Sequence, residues 1–306
     1  MKNKTTYILA GAVFAASTAS AEIPLTDDLS AYGYIDVVGI AGDDEFTSID
    51  NALVAEFELG FSFTPVDSQW SAVAELSFNG TDNNFGADNF DFETVTITYA
   101  YSDELSFTVG NILSYQGFET FDATGLYQFS YLGVFGNPVY TAGYWVGASI
   151  DYVTDAYAAG VWVGDNNAED ASWEIFLQYT GIEGLTASFI YADDPDYETI
   201  NPWISYEIDA FTFAVEYVDN EFSNGVEQDF LMLLAYYSFG DAGITVRFTD
   251  GDNGGVSGVD DFKRYTISPS YSFSDNVLGL LEYSVDDIDG SLGTVDQYAA
   301  ELIFTF

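Results

Sequence analysis

The chain has 306 residues, 50 acidic against 5 basic side chains for a formal charge of −45, and neither Cys nor His. That inventory excludes disulfides, thiol and imidazole catalysis and the usual zinc sites, and the charge disfavours nucleic acid as a partner. Aromatic residues are plentiful, 23 Tyr, 26 Phe and 5 Trp beside 28 Gly, which suits a wall that meets lipid on one side and water on the other.

At the start of the chain, Lys2 and Lys4 precede an apolar run from Tyr7 to Ala16 and the small residues Ala19-Ser20-Ala21. This is the charge, core and cleavage-site order of a secretory signal, and the run is shorter than the roughly 20 apolar residues of a membrane-spanning helix. Residues 1–21 are therefore expected to be removed, leaving 22–306 as one domain. In it only Arg247, Lys263 and Arg264 face the 50 acids, a net charge of −47.

From residue 22 onward, segments of about ten residues with alternating polarity, broken by turn residues, predict strands. Sixteen are counted, at 31–41, 52–64, 70–78, 93–101, 105–113, 139–152, 157–164, 172–180, 185–192, 203–208, 211–218, 230–239, 244–249, 262–273, 277–285 and 295–306. In the second, Leu53, Ala55, Phe57, Leu59, Phe61 and Phe63 share one face and Glu56, Glu58, Gly60 and Ser62 the other. The last places Tyr298, Ala300, Leu302, Phe304 and Phe306 on one side and Gln297, Ala299 and Glu301 on the other. The run Leu231-Met232-Leu233-Leu234 blurs the alternation, so a count of roughly 14 to 18 fits the pattern.

Seven short turns alternate with eight longer acidic loops, at 42–51, 79–92, 114–138, 165–171, 193–202, 219–229, 250–261 and 286–294. Short turns on one rim, long loops on the other and an even strand count predict an all-β fold, a closed antiparallel transmembrane β-barrel. The third long loop is aromatic, with Tyr115, Phe118, Phe121, Tyr127, Phe129, Tyr131 and Phe135. Folding it into the lumen hides those rings and narrows the pore; packing over the rim or onto a neighbouring subunit is the alternative.

Signal peptide, sixteen amphipathic strands, long third loop and terminal Phe together resemble a Gram-negative outer-membrane porin. Gly110, Gly117-Phe118-Glu119, Asp122-Ala123, Tyr127 to Tyr131 and Tyr140-Thr141-Ala142-Gly143 are similar to the central stretch of the OmpL-like β-barrel porins. The resemblance implies a passive diffusion channel for small hydrophilic solutes in the outer membrane, with outer-membrane lipid and the barrel-assembly machinery as partners and, by analogy, a trimer. The outward Tyr298, Leu302 and Phe304 with the final Phe306 resemble the assembly signal. General porins carry several bases on the wall facing the third loop, and here there are few.

Those few take the polar parity. A hairpin centred near Gly254-Gly255 sets Arg247 opposite Arg264, where the two either attract Glu119 and Asp122 of the loop or neutralise wall carboxylates. Glu56, Glu58, Glu75, Glu174, Glu207, Glu216, Glu282 and Glu301 also take the polar parity. A charge on the lipid face near the midplane is costly, so a water-filled interior is their expected home, and rings of carboxylates favour cations. With Tyr115 and Tyr127 of the loop, these residues make the expected pore lining. Gly60, Gly110, Gly160 and Gly164 at lumen parity suggest open space.

No nucleophile elbow, phosphate loop or strict EF-hand spacing appears, so an enzyme and a resident cofactor are not expected. Asp193-Asp194-Pro195-Asp196 and Asp250-Gly251-Asp252 offer oxygen ligands through which outer loops could loosely hold Ca2+ or Mg2+. A surface adhesion or structural barrel with a plugged lumen is the competing function.

Overall fold

Alternation along the chain does build the wall. The computed structural model describes residues 22–43, 52–81, 90–119, 122–165, 171–289 and 293–306; the expected signal segment, Phe121 and parts of the first, second, fourth and eighth long loops lie outside them. A two-residue strand β1 (Ile23–Pro24) precedes sixteen staves. They begin with β2 (Leu29–Asp43), β3 (Ala52–Phe63), β4 (Trp70–Thr81), β5 (Phe90–Ala100), β6 (Leu105–Leu113), β7 (Tyr144–Val153), β8 (Tyr157–Asp165) and β9 (Ser172–Ile182). The ring continues through β10 (Leu185–Asp194), β11 (Tyr197–Ile208), β12 (Phe211–Phe222), β13 (Glu227–Phe239), β14 (Ala242–Asp252), β15 (Asp261–Ser274), β16 (Val277–Ile288) and β17 (Gly293–Thr305).

Each stave pairs antiparallel with its neighbours in sequence, and β17 returns to β2 with a register running from Asp296 opposite Asp43 to Thr305 opposite Tyr34. Closure leaves no stave edge to be satisfied in lipid. At the seam, Phe306 N–H donates to Gly33 O and Gly33 N–H to Phe306 O, both at 2.9 Å. A Cβ on Gly33 would strike the Glu58 carbonyl and stand 3.1 Å from the Phe306 ring, so glycine admits the close approach of β3 while the terminal aromatic seats beside it, stacked on Phe57. β1 pairs with the start of β2, at Ala31 and Ser30. Among the described residues no helix is long and apolar enough to cross a membrane.

Side chains alternate as a pleated wall requires. Outward Tyr298, Leu302 and Phe304 are exposed, while Gln297, Ala299, Glu301 and Ile303 between them are buried. The tight turns use backbone that few residues adopt: Gly184, Asp209 and Gly240 all have φ above +50°, as two-residue hairpin connections demand.

The long-loop rim differs from expectation. The stretch 193–202, read as a loop, is almost all strand: Asp193 pairs with Glu198 and Asp194 with Tyr197, leaving Pro195-Asp196 as the turn. Strands β12 to β16 likewise run past their predicted ends into acidic sequence. The opposite holds for β7, which starts at Tyr144, because 139–143 belongs to the third loop.

Candidate functional site

The third loop contacts inward side chains of β9, β11, β12, β14 and β16. Its backbone forms no strand, so its N–H groups need acceptors, and wall carboxylates, strong acceptors for N–H, supply several. Tyr115 N–H donates to Glu174 at 2.9 Å, Phe118 N–H to Glu216 at 2.8 Å and Ser130 N–H to Glu282 at 2.9 Å. Gly117 N–H donates to Asn201 Oδ1 at 2.7 Å, and Thr245 Oγ1 donates to the Tyr127 carbonyl at 2.6 Å. Expected as open lining, Glu174, Glu216 and Glu282 are thus in contact with the loop and buried.

The two arginines divide the roles foreseen for them. Arg247 Nη1 donates to Glu119 Oε1 at 2.5 Å and to the Ser130 carbonyl at 2.6 Å. Its Nη2 donates to Ser130 Oγ at 2.7 Å and the Tyr131 carbonyl at 2.8 Å. Arg264, 1% exposed, turns to the wall, with Nη1 2.5 Å from Asp286 and Nη2 2.6 Å from Ser284 Oγ and 2.8 Å from Gln297 Oε1. It also lies 3.5 Å from Glu282. One base therefore holds the loop and the other neutralises wall acids.

The arginines are not directly opposite, although a hairpin centred near Gly254-Gly255 predicts that they are. Arg247 pairs with Thr266 and Arg264 with Thr249. The short 3-10 turn Val256–Gly258 moves the hairpin centre along by one residue, which shifts the register by two and keeps both arginines on the inward face.

Apolar packing completes the anchorage and went unread in the sequence. Leu132 and Val134 of the loop are buried in a cluster with Val218, Phe230, Met232, Leu234, Phe262 and Val295. Met232 and Leu234 are the inward members of the run that blurred the alternation, and their inward apolarity was the available signal. Tyr115 packs on Phe176 and donates to Asp151 at 2.6 Å, and Tyr127 packs on Phe118 and Tyr236. Gly60 and Gly160, read as marks of open space, instead seat rings. A Cβ on Gly160 would meet Phe176 at 2.5 Å and the Tyr115 hydroxyl at 2.8 Å, and one on Gly60 would strike Tyr32.

Across the lumen the wall is acidic. Glu56 and Glu58 on β3, Glu75 on β4 and Glu93 on β5 surround Asp122 of the loop. Glu58, Glu93 and Asp122 each bring an oxygen within 4.8 Å of the others, and the Tyr32 hydroxyl donates to Glu75 at 2.6 Å. Burial pushes the Asp122 carboxyl up to about 7, with Glu75, Glu93 and Glu56 adding to the shift. Glu301 sits beside Asp36 near the seam. Glu207, at the short-turn end of β11, is exposed. Glu93 and Asp36 were not singled out in the sequence, although both are acids at inward positions.

Sequence and structure comparisons agree with this architecture. No curated protein sequence matches the chain. A solved variant of the Rhodopseudomonas blastica porin superposes with a TM-score of 0.65 at 16% identity, covering 91% of this chain and 100% of that one. OmpF of Salmonella typhi, solved in complex with daunomycin, gives 0.69 at 15% identity, with 93% and 100% covered. At such identities the likeness is one of fold, whereas the family model described as Gram-negative porin matches the sequence itself over residues 8–291. With that match spanning nearly the whole barrel, the chain belongs to the Gram-negative porin family.

Proposed function

We propose that the barrel is a water-filled diffusion channel of the outer membrane for small hydrophilic solutes and ions, that it prefers cations, and that the third loop narrows it. One observation carries the preference. The two inward arginines are covered by the loop and by wall acceptors, while on the facing wall Glu56, Glu75 and Glu93 with Asp122 stay partly exposed around the buried Glu58. Clefts lined by one sign of charge concentrate ions of the other. A general porin sets bases across from acids at its narrowest point; here one base anchors the loop and the other is paired with wall acids, so no opposing positive wall offsets the carboxylates.

The loop reading rests on its bonds to five staves and on the burial of Leu132 and Val134. Assembly as a trimer, insertion by the barrel-assembly machinery through Phe306, and removal of residues 1–21 are part of the same proposal. Reconstitution in a planar bilayer tests it. Stepwise currents that reverse toward the K+ equilibrium potential in a KCl gradient are expected; a barrel that inserts without current is a plugged structural barrel instead.

A further inference from the structure

We propose that Glu58, Glu93 and Asp122 form a Ca2+ site that ties the third loop to the wall opposite the Arg247 anchor. Three strands of observation meet there. The three carboxylates come from β3, β5 and the loop, and their ligand oxygens lie within 4.8 Å of one another. Glu58 is only 4% exposed, and its Oε2 is buried without a hydrogen-bond partner. Both described arginines are engaged elsewhere, Arg247 with Glu119 and Arg264 with Asp286.

A carboxylate oxygen stripped of water and left without a donor is costly, and two more carboxylates beside it raise that cost. A hard cation relieves both, since oxygen-only ligand sets suit Ca2+ and Mg2+. The number of carboxylates favours Ca2+, since Mg2+ usually keeps several waters and binds through only one or two carboxylates. The Tyr32 hydroxyl engages Glu75, and the oxygens that converge are those of Glu58, Glu93 and Asp122. The loop then has two fastenings on opposite walls, Arg247 with Glu119 on β14 and the cation with Asp122 toward β3 and β5.

This inference deepens the reading of that wall as the cation-attracting side of the pore and rests on it. Its test is nevertheless separate from conduction. Titrating the folded, detergent-solubilised full chain with Ca2+ alone by calorimetry is expected to reveal a saturable site that weakens about ten-fold or more in Asp122→Asn and in Glu93→Gln. Asp122→Asn alters the loop and leaves every stave intact, so it stays informative if Glu93→Gln fails to fold. Isotherms identical in wild type and Asp122→Asn overturn the site. Ca2+ binding as expected in a barrel without current keeps the site and removes the pore reading; cation-selective current with identical isotherms does the reverse.

Discussion

Arg247 shows how much one side chain decides. Its guanidinium reaches one carboxylate, one hydroxyl and two carbonyls of the loop, a fork that lysine, a point charge on a flexible stem, cannot reproduce. Removing it leaves Glu119 buried without its cation, a loss of roughly 3–5 kcal/mol when a buried pair is broken. Because the staves keep their own ladders, that loss falls on loop docking. Arg247→Ala is therefore expected to raise and destabilise single-channel conductance, Arg247→Lys to restore it only in part, and unchanged current traces for both would refute the anchor role.

Asp122 gives the residue scale its pH dependence. Its carboxyl, pushed up to about 7 by burial and by Glu75, Glu93 and Glu56, faces those three and Glu58. Its ordinary range lies near 4, so between about pH 4 and pH 7 the folded chain holds a proton that the unfolded chain has released. Stability from this group is thus present at low pH and falls as pH rises through that window. The pore charge moves the other way, more negative above about 7. Cation over anion permeability measured at about pH 5.5 and about pH 8.5 should rise with pH in the wild type, and the rise should shrink in Asp122→Asn.

Among the elements, the third loop is where sequence pattern and physical packing part company. The staves were legible because lipid outside and water inside impose a period of two, and the aromatic content of 114–138 marked the loop as one that needs cover. What covers it was not legible. The apolar patch of Phe230, Met232, Leu234 and Phe262 reads as poor alternation until the loop is in place, since its partners Leu132 and Val134 lie about a hundred residues away in the chain. Leu132 is 0% exposed, and Leu132→Ala is expected to weaken loop docking by about 2–5 kcal/mol. Limited proteolysis of the folded barrel reads this as faster cleavage within 114–143; protection equal to wild type would mean that the cluster does not hold the loop.

The strand ends at the long-loop rim were misread for a related reason. Asp219, Asp229, Asp252 and Asp261 sit side by side on β12 to β15, each directly opposite the next. Like charges so placed cost about 0.2–1 kcal/mol a pair, which argues against strand in any local reading. Ladder hydrogen bonds carry the strands through, and solvent and salt beyond the lipid screen the acids.

At the scale of the whole molecule, the distribution of charge is the organising fact. A chain with three bases in its barrel places Arg247 and Arg264 where the loop and wall need them and leaves Lys263 exposed on the outer face between Asp250 and Asp287. The barrel closes through Phe306 against Gly33, the loop leans on β9 and on β11 to β17, and the acids of β3 to β5 gather around its Asp122. Under the proposed channel function, that asymmetry makes selectivity a property of one side of the pore. The reversal potential of the reconstituted barrel in a KCl gradient, for wild type and for Glu58→Gln with Glu93→Gln and Asp122→Asn combined, tests this most directly. A wild-type potential on the K+ side that moves toward zero in the triple variant is predicted; a wild-type potential on the Cl− side would contradict it.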